Sequence, residues 1–169
     1  MTFDELNRSL DARRAYLGIA LVTFGLLGVG MYMQHVVGLQ PCPLCIFQRM
    51  AYVAVAVFAV LAALVAPSKA ARWVGVLVLV AALTGAGIAT RHVWLQANPE
   101  ALACGPGLET MLENFPLTQV LPKVFRGGGD CAEKGWVFLG LSIAGWSLVW
   151  FSLLSLAAIA AFFRPLVRK

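Results

Sequence analysis

Residues 42–66 read CPLCIFQRMAYVAVAVFAVLAALVA, and this stretch sets the class of fold. From residue 46 onward it is an apolar run long enough to cross about 30 Å of hydrocarbon, which takes roughly 20 helical residues. Similar runs occupy 16–33, 73–90 and 141–163. With 60% hydrophobic residues and a mean hydropathy of +0.82, the chain carries more apolar surface than a soluble domain can bury. The sequence predicts an all-α integral membrane protein, a bundle of four transmembrane helices.

Basic residues indicate how the bundle is oriented, because cytoplasmic flanks retain Lys and Arg. Eight of the 13 lie beside the same ends of the predicted spans: Arg8, Arg13, Arg14, Lys69, Arg72, Arg164, Arg168 and Lys169. We therefore expect residues 1–15, 67–72 and 164–169 on the cytoplasmic side. Loops 34–45 and 91–140 then face outward. The net charge of +5 reflects this topology and gives no case for nucleic-acid binding.

All four cysteines fall in the two outward loops, Cys42 and Cys45 in the first and Cys104 and Cys131 in the second. Four cysteines allow three pairings, and the sequence leaves them open. In an oxidising compartment, purely structural disulfides are one interpretation. Zinc binding is another, but one CxxC motif without a second close pair is a poor match to a zinc site, so the sequence predicts no metal ligands.

The position of the CxxC motif favours redox chemistry instead. Pro41 and Pro43 fix the backbone around Cys42 and place Cys45 at or near the first turn of the helix. A thiolate at a helix N-terminus is stabilised relative to its thiol, and Arg49 follows Cys45 by one turn, about 6 Å along the axis. The motif therefore predicts a dithiol/disulfide pair poised against a redox partner at the membrane surface.

The second outward loop has features that would bring its cysteines to this pair. Three glycines at 127–129 form a hinge just before Cys131, although a flexible loop tip alone would look the same. Apolar residues recur at helical spacing over 117–125, after Pro116 and with Pro122 interrupting. We expect a short helix there, lying on the membrane surface and holding the loop near Cys42 and Cys45.

Arg49 and His92 suggest a polar pocket at the outer rim of the bundle. Arg49 alone could be an anchor that reaches the headgroups, and His92 alone could be an interfacial residue. Together with Cys45 they fit a lipid-soluble acceptor that carries carbonyl oxygens, namely a quinone. Arg49 would hydrogen-bond a quinone oxygen and stabilise the Cys45 thiolate, and His92 would donate or relay a proton.

Several motifs closely resemble the bacterial disulfide bond formation protein B (DsbB) family, over nearly the whole chain from about residue 14 to 163. They are Pro41-Cys42-Pro43-Leu44-Cys45 with Gln48-Arg49, then His92 with Leu95-Gln96, then Gly129-Asp130-Cys131-Ala132-Glu133 with Trp136 and Phe138-Leu139-Gly140-Leu141.

The resemblance implies a multi-pass enzyme of the bacterial inner membrane with two periplasmic loops and cytoplasmic termini. Such a protein-dithiol:quinone oxidoreductase reoxidises a periplasmic thiol oxidase of the DsbA type. It passes the electrons to ubiquinone, or to menaquinone under anaerobic growth, and so to the respiratory chain.

The resemblance also implies residue roles. The partner's thiolate would attack Cys104, Cys131 would then attack Cys42, and Cys45 would be released beside the quinone. The catalytic residues would be these four cysteines, with Arg49 and His92 binding the quinone.

Two other functions fit the same pattern of helices and cysteines. Relatives of vitamin K epoxide reductase also combine four helices with four cysteines, and such an enzyme would transfer electrons in the reverse direction, from quinol to disulfides. A non-catalytic membrane protein could use the disulfides only to hold its loops together. Quinone-dependent oxidation of a reduced partner would distinguish the protein-dithiol:quinone oxidoreductase from these two alternatives.

Overall fold

A computed structural model describes the backbone of residues 3–66, 68–98, 131 and 135–167, and the side chains of 11–66, 68, 70–98, 131 and 135–163. In chain order the elements are α1 (Phe3–His35), α2 (Pro43–Val65), α3 (Lys69–Ala97), β1 (Val137–Phe138), β2 (Leu141–Ser142) and α4 (Ile143–Val167). Cys104, the 127–129 hinge and the predicted surface helix at 117–125 lie outside the described residues.

The four predicted apolar runs are all helices long enough to cross a bilayer. Across the described parts of the chain, the candidate spans are Asp11–His35, Pro43–Val65, Ala70–Ala97 and Ile143–Phe163. Large apolar side chains cover the outside of the bundle; Leu21 is 75% exposed and Trp73 is 76% exposed. Such a surface suits lipid and not water, so the predicted four-helix membrane fold is confirmed.

The helices extend beyond the predicted runs, and local chemistry sets where two of them begin. α2 starts at Pro43, which suits the first helical position because its missing N–H would have had no partner there. α4 starts at Ile143, two residues after the start predicted at 141. Residues 141 and 142 are extended in β2, and Ser142 Oγ accepts a hydrogen bond from the Gly145 N–H at 3.3 Å, which caps α4.

A β-hairpin with a two-residue turn precedes α4. Strands β1 and β2 are antiparallel, with Val137 opposite Ser142 and Phe138 opposite Leu141. The turn residues Leu139 and Gly140 both have positive φ, 52° and 81°, which is the type I′ geometry that matches the twist of paired strands. Trp146 Nε1 donates to the Phe138 carbonyl at 3.0 Å and ties the hairpin to the first turn of α4.

Small residues let the helices pack closely. α1 packs on α2, α2 on α3, α3 on α4, and α4 closes the ring against α1. The buried face of α2 is rich in alanine, and Phe151 of α4 fills the centre, where its ring stacks on Tyr52 with centroids 4.0 Å apart. A Cβ on Gly85 would overlap the Phe151 ring. The missing side chain at Gly85 therefore lets α3 and α4 approach closely.

Hydrogen bonds between helices show which helix ends share a side. Arg49, near the start of α2, bonds to Gln34 at the end of α1, and Gln48 bonds to His92 near the end of α3. Ser142, just before α4, donates to Gln96 of α3 at 2.6 Å. The end of α1, the start of α2, the end of α3 and the start of α4 therefore meet at one end of the bundle, and the candidate residues lie there.

Candidate functional site

Cys42 is the N-cap of α2. Its backbone is extended (φ −79°, ψ 164°), and its Sγ accepts a hydrogen bond from the Cys45 N–H at 3.3 Å. This contact satisfies one of the N–H groups that a helix start leaves unpaired. It also folds the CxxC segment back on itself, so the two Sγ atoms lie 2.9 Å apart. Cys42 is only 4% exposed, whereas Cys45 is half-buried.

Cys131, the described cysteine of the segment between α3 and β1, lies against this pair. Its side chain hydrogen-bonds to Cys42, and its main chain hydrogen-bonds to the His92 side chain. Hydrogen bonds that Cys42 makes with Cys131 and with Cys45, together with burial, raise the pKa of the Cys42 thiol because they favour its protonated form. A raised pKa favours the protonated form of Cys42, and in the structure its Sγ donates to Cys45 Sγ.

His92 enters the bundle beside Cys42. It is 3% exposed, and its Nε2 lies 3.6 Å from Cys42 Sγ. Its Nδ1 lies 3.1 Å from the side-chain amide nitrogen of Gln48, which can only donate. In this orientation of the amide, Nδ1 is the acceptor and the ring proton lies on Nε2, the nitrogen that faces the Cys42 sulfur.

Gln48 is a buried polar residue of this site that the sequence pattern alone did not single out. It is 3% exposed and orients His92, yet it figured in the sequence only as part of a motif. A usable signal was present, since Gln48 is an uncharged polar residue inside an apolar run. A buried amide in a membrane helix needs a hydrogen-bond partner on a neighbouring helix.

Arg49 points to α1. One of its terminal nitrogens donates to Gln34 Oε1, and Nη2 donates to the Gly30 carbonyl at 3.0 Å. Both partners belong to the protein, so Arg49 is more than a headgroup anchor. A guanidinium has five N–H donors, and these contacts use only some of them. The remaining donors, on a residue one helical turn from half-buried Cys45, suit a carbonyl oxygen, so the residues present fit a quinone head.

Arg91 and His92, adjacent near the end of α3, behave differently. Arg91 is exposed and lies over the Trp94 ring, with its guanidinium carbon 4.4 Å from the ring centroid. Of this basic pair, His92 reaches the cysteines and Arg91 stays on the outer surface.

The structure therefore assembles most of the predicted site but divides it between two sides of α2. Cys42, Cys45, Cys131 and His92 form one group, which faces α3. Arg49 lies on the α1 side. Among the described residues, Cys42, Cys45 and His92 also place one sulfur or nitrogen atom each within 4.8 Å of one another, close enough to share a metal ion. The prediction of no metal ligands rested on the spacing of the cysteines alone. It did not include His92, which is 50 residues from Cys42 in the sequence but adjacent to it in the fold.

Comparisons with known proteins give a consistent result. A family model described as Disulfide bond formation protein DsbB matches residues 12–161. A disulfide bond formation protein B from Aromatoleum aromaticum is 48% identical over 153 residues, which cover 89% of this chain and 92% of the relative. The protein of the same name from an Azoarcus species is 47% identical over 94% of this chain and 96% of its own length. One from Albidiferax ferrireducens is 41% identical, with 100% of this chain and 99% of the relative covered.

Proposed function

The chain belongs to the disulfide bond formation protein DsbB family, and on this premise we propose that it reoxidises a periplasmic DsbA-type thiol oxidase and passes the electrons to membrane quinone. This makes it a protein-dithiol:quinone oxidoreductase that sustains disulfide bond formation. The observation that carries the proposal is the contact of Cys131 with Cys42. It joins a cysteine of the long outward loop to the CxxC pair, as electron transfer between two disulfides requires.

The proposed cycle is a series of thiol–disulfide exchanges that begins with disulfides Cys104–Cys131 and Cys42–Cys45. A thiolate of the reduced partner attacks Cys104, and Cys131 leaves as a thiolate. Cys131 attacks Cys42, the Cys42–Cys131 bond forms, and Cys45 leaves with the electron pair. The partner's second thiol then displaces Cys104, which re-forms its bond with Cys131 and releases Cys42. The partner is oxidised, and both electrons rest on Cys42 and Cys45.

His92 would assist at Cys42. Its Nε2 faces this sulfur at 3.6 Å, and an N–H there would stabilise the negative charge that builds on Cys42 when Cys42 leaves. The sequence hypothesis placed His92 at the quinone. Its contacts with Cys42, Gln48 and Cys131 favour a role in the sulfur exchange.

Arg49 and Cys45 would hold the quinone, either ubiquinone or menaquinone. Bound there, it would supply an acceptor for two electrons and two protons. Arg49, already fixed by Gly30 and Gln34, donates an N–H toward a carbonyl oxygen without needing to reorganise. Cys45 is half-buried at the same end of α2 and precedes Arg49 by four residues, which is about one helical turn.

The proposed location is the bacterial inner membrane, with both termini cytoplasmic and the cysteines on the periplasmic side. The distribution of basic residues supports this orientation. It places the thiols in an oxidising compartment and the acceptor in the lipid, so the electrons would pass onward to the respiratory chain.

The test is anaerobic turnover with purified protein, a reduced DsbA-type partner and a soluble quinone. We expect one quinone reduced per partner disulfide formed, measured by quinone absorbance and by thiol titration. Partner thiols that stay reduced would point to purely structural disulfides, and disulfide reduction driven by quinol would point to the reverse enzyme.

In Cys104→Ser, exchange should stop because the entry sulfur is gone; normal turnover in this variant would refute the proposed order.

A further inference from the structure

Cys42, Cys45 and His92 place three metal-binding atoms around one point. The two sulfurs are 2.9 Å apart, Cys42 Sγ and His92 Nε2 are 3.6 Å apart, and all three atoms lie within 4.8 Å of one another. Cys42 and His92 are almost fully buried, at 4% and 3% exposure. The atoms come from two helices whose packing holds them in place.

These separations are close to those of a tetrahedral Zn²⁺ site. With Zn–S of about 2.3 Å and Zn–N of about 2.0 Å, neighbouring ligand atoms lie roughly 3.6 to 3.8 Å apart. The distance from Cys42 to His92 already matches. The two sulfurs would have to separate by about 0.9 Å to admit the cation between them.

Gln48 and Cys131 complete the arrangement. A metal on Nε2 requires the ring proton to move to Nδ1, which then needs an acceptor. The Gln48 amide can rotate by half a turn and present its oxygen to Nδ1, because an amide offers both a donor and an acceptor. Cys131, whose side chain already hydrogen-bonds to Cys42, is the nearest source of a fourth ligand.

We propose that the reduced form of the protein binds one thiophilic divalent cation, with Zn²⁺ as the probe, through Cys42, Cys45, His92 and Cys131. Each thiol gives up its proton to solvent on binding. The Cys42–Cys45 disulfide cannot bind in this way, because neither sulfur can then become a thiolate. Occupancy blocks both sulfurs of the pair, so the cation is an inhibitor of the reduced enzyme; this last clause rests on the proposed function.

Binding is measured on the full-length protein in detergent, without quinone, by competition with a chromophoric zinc chelator. We expect one Zn²⁺ per chain after reduction and none after the disulfides are re-formed with diamide. Both Cys42→Ser and His92→Ala should weaken binding by about a hundredfold or more, and Cys131→Ser by about tenfold. Co²⁺ in place of Zn²⁺ should show thiolate-to-cobalt charge-transfer absorption, which Cys42→Ser diminishes.

His35 is the matched control, because it is the only other histidine of the chain and lies exposed at the end of α1. His35→Ala should bind Zn²⁺ as the wild type does. Equal binding by the oxidised protein, or binding lost in His35→Ala and kept in His92→Ala, would overturn the proposal. Because no quinone or partner is present, failure of the proposed function would leave this result unchanged.

Discussion

Gln48 and Arg49 are neighbours in the sequence, yet they serve different helices. Gln48 is buried against α3 and holds His92, which faces Cys42, whereas Arg49 reaches α1 and bonds to Gly30 and Gln34. Successive residues on an α-helix point about 100° apart, since 3.6 residues make one turn. In the proposed function, the two sides of α2 thus divide the chemistry, with sulfur exchange on the α3 side and recognition of the quinone carbonyl on the α1 side.

Cys45 belongs to both sides. It precedes Gln48 by three residues and Arg49 by four, and both spacings place side chains on a shared helix face. The Cys42 sulfur touches it from the α3 side. In the proposed function, sulfur exchange therefore ends at the Cys45 Sγ atom, and the transfer of electrons to the quinone begins there.

Cys45→Ala should have the largest effect, because it removes the one group common to both sides. Quinone-coupled turnover should fall by at least about a thousandfold, as expected when a reacting sulfur is lost. Turnover is followed by quinone absorbance with a reduced partner. The thermal transition of the variant shows whether the bundle remains folded. A folded variant with intact turnover would contradict the role given to Cys45.

Arg49→His tests the α1 side alone. Losing a charged donor to a carbonyl oxygen typically costs about 1.5 to 3 kcal/mol, so the KM for quinone should rise by at least about tenfold. Exchange with the partner should keep its rate in a single-turnover experiment without quinone, because Arg49 points away from Cys42. Slower exchange together with an unchanged KM for quinone would show that the two sides are not separate.

His92→Ala tests the α3 side and should give the opposite pattern. Without the N–H at Cys42, the single-turnover exchange rate should fall by about ten- to a hundredfold. The KM for quinone should hold. The exposed histidine offers a control, since His35→Ala should change neither quantity. If the KM for quinone changes and the exchange rate does not, His92 acts at the quinone, as the sequence first suggested.

Gln48 should matter less, since it acts only through His92. Gln48→Leu removes the donor to Nδ1 and should slow exchange by about three- to tenfold, while Gln48→Glu, which offers only acceptors, should move the ring proton to Nδ1. Nitrogen chemical shifts of labelled His92 report the tautomer. A tautomer that is unchanged in both variants would show that Gln48 merely fills space.

The sequence predicted the four spans and the closeness of the CxxC pair to its helix start, because hydrocarbon thickness and proline geometry act locally. It did not predict which way each polar side chain turns. Arg49 and His92 were expected in one pocket, but helix rotation directs one to Gly30 and the other to Cys42. Such contacts depend on which helices become neighbours. The contact of Gln48 with His92 exists only because α2 packs against α3.

The hairpin before α4 should be the least sensitive region, and it tests whether the site extends to the start of α4. Leu139 adopts φ 52° and is 77% exposed, so its left-handed backbone is strained and its side chain packs little. Leu139→Asn should stabilise the protein by about 0.5 to 1 kcal/mol, because Asn-Gly is the favoured pair in a type I′ turn. Leu139→Ala keeps the strain and should give no such gain in thermal unfolding.

Both variants should retain the exchange rate and the KM for quinone, since the hairpin contacts run to Gln96 and Trp146. A change in either kinetic quantity would extend the site to the start of α4.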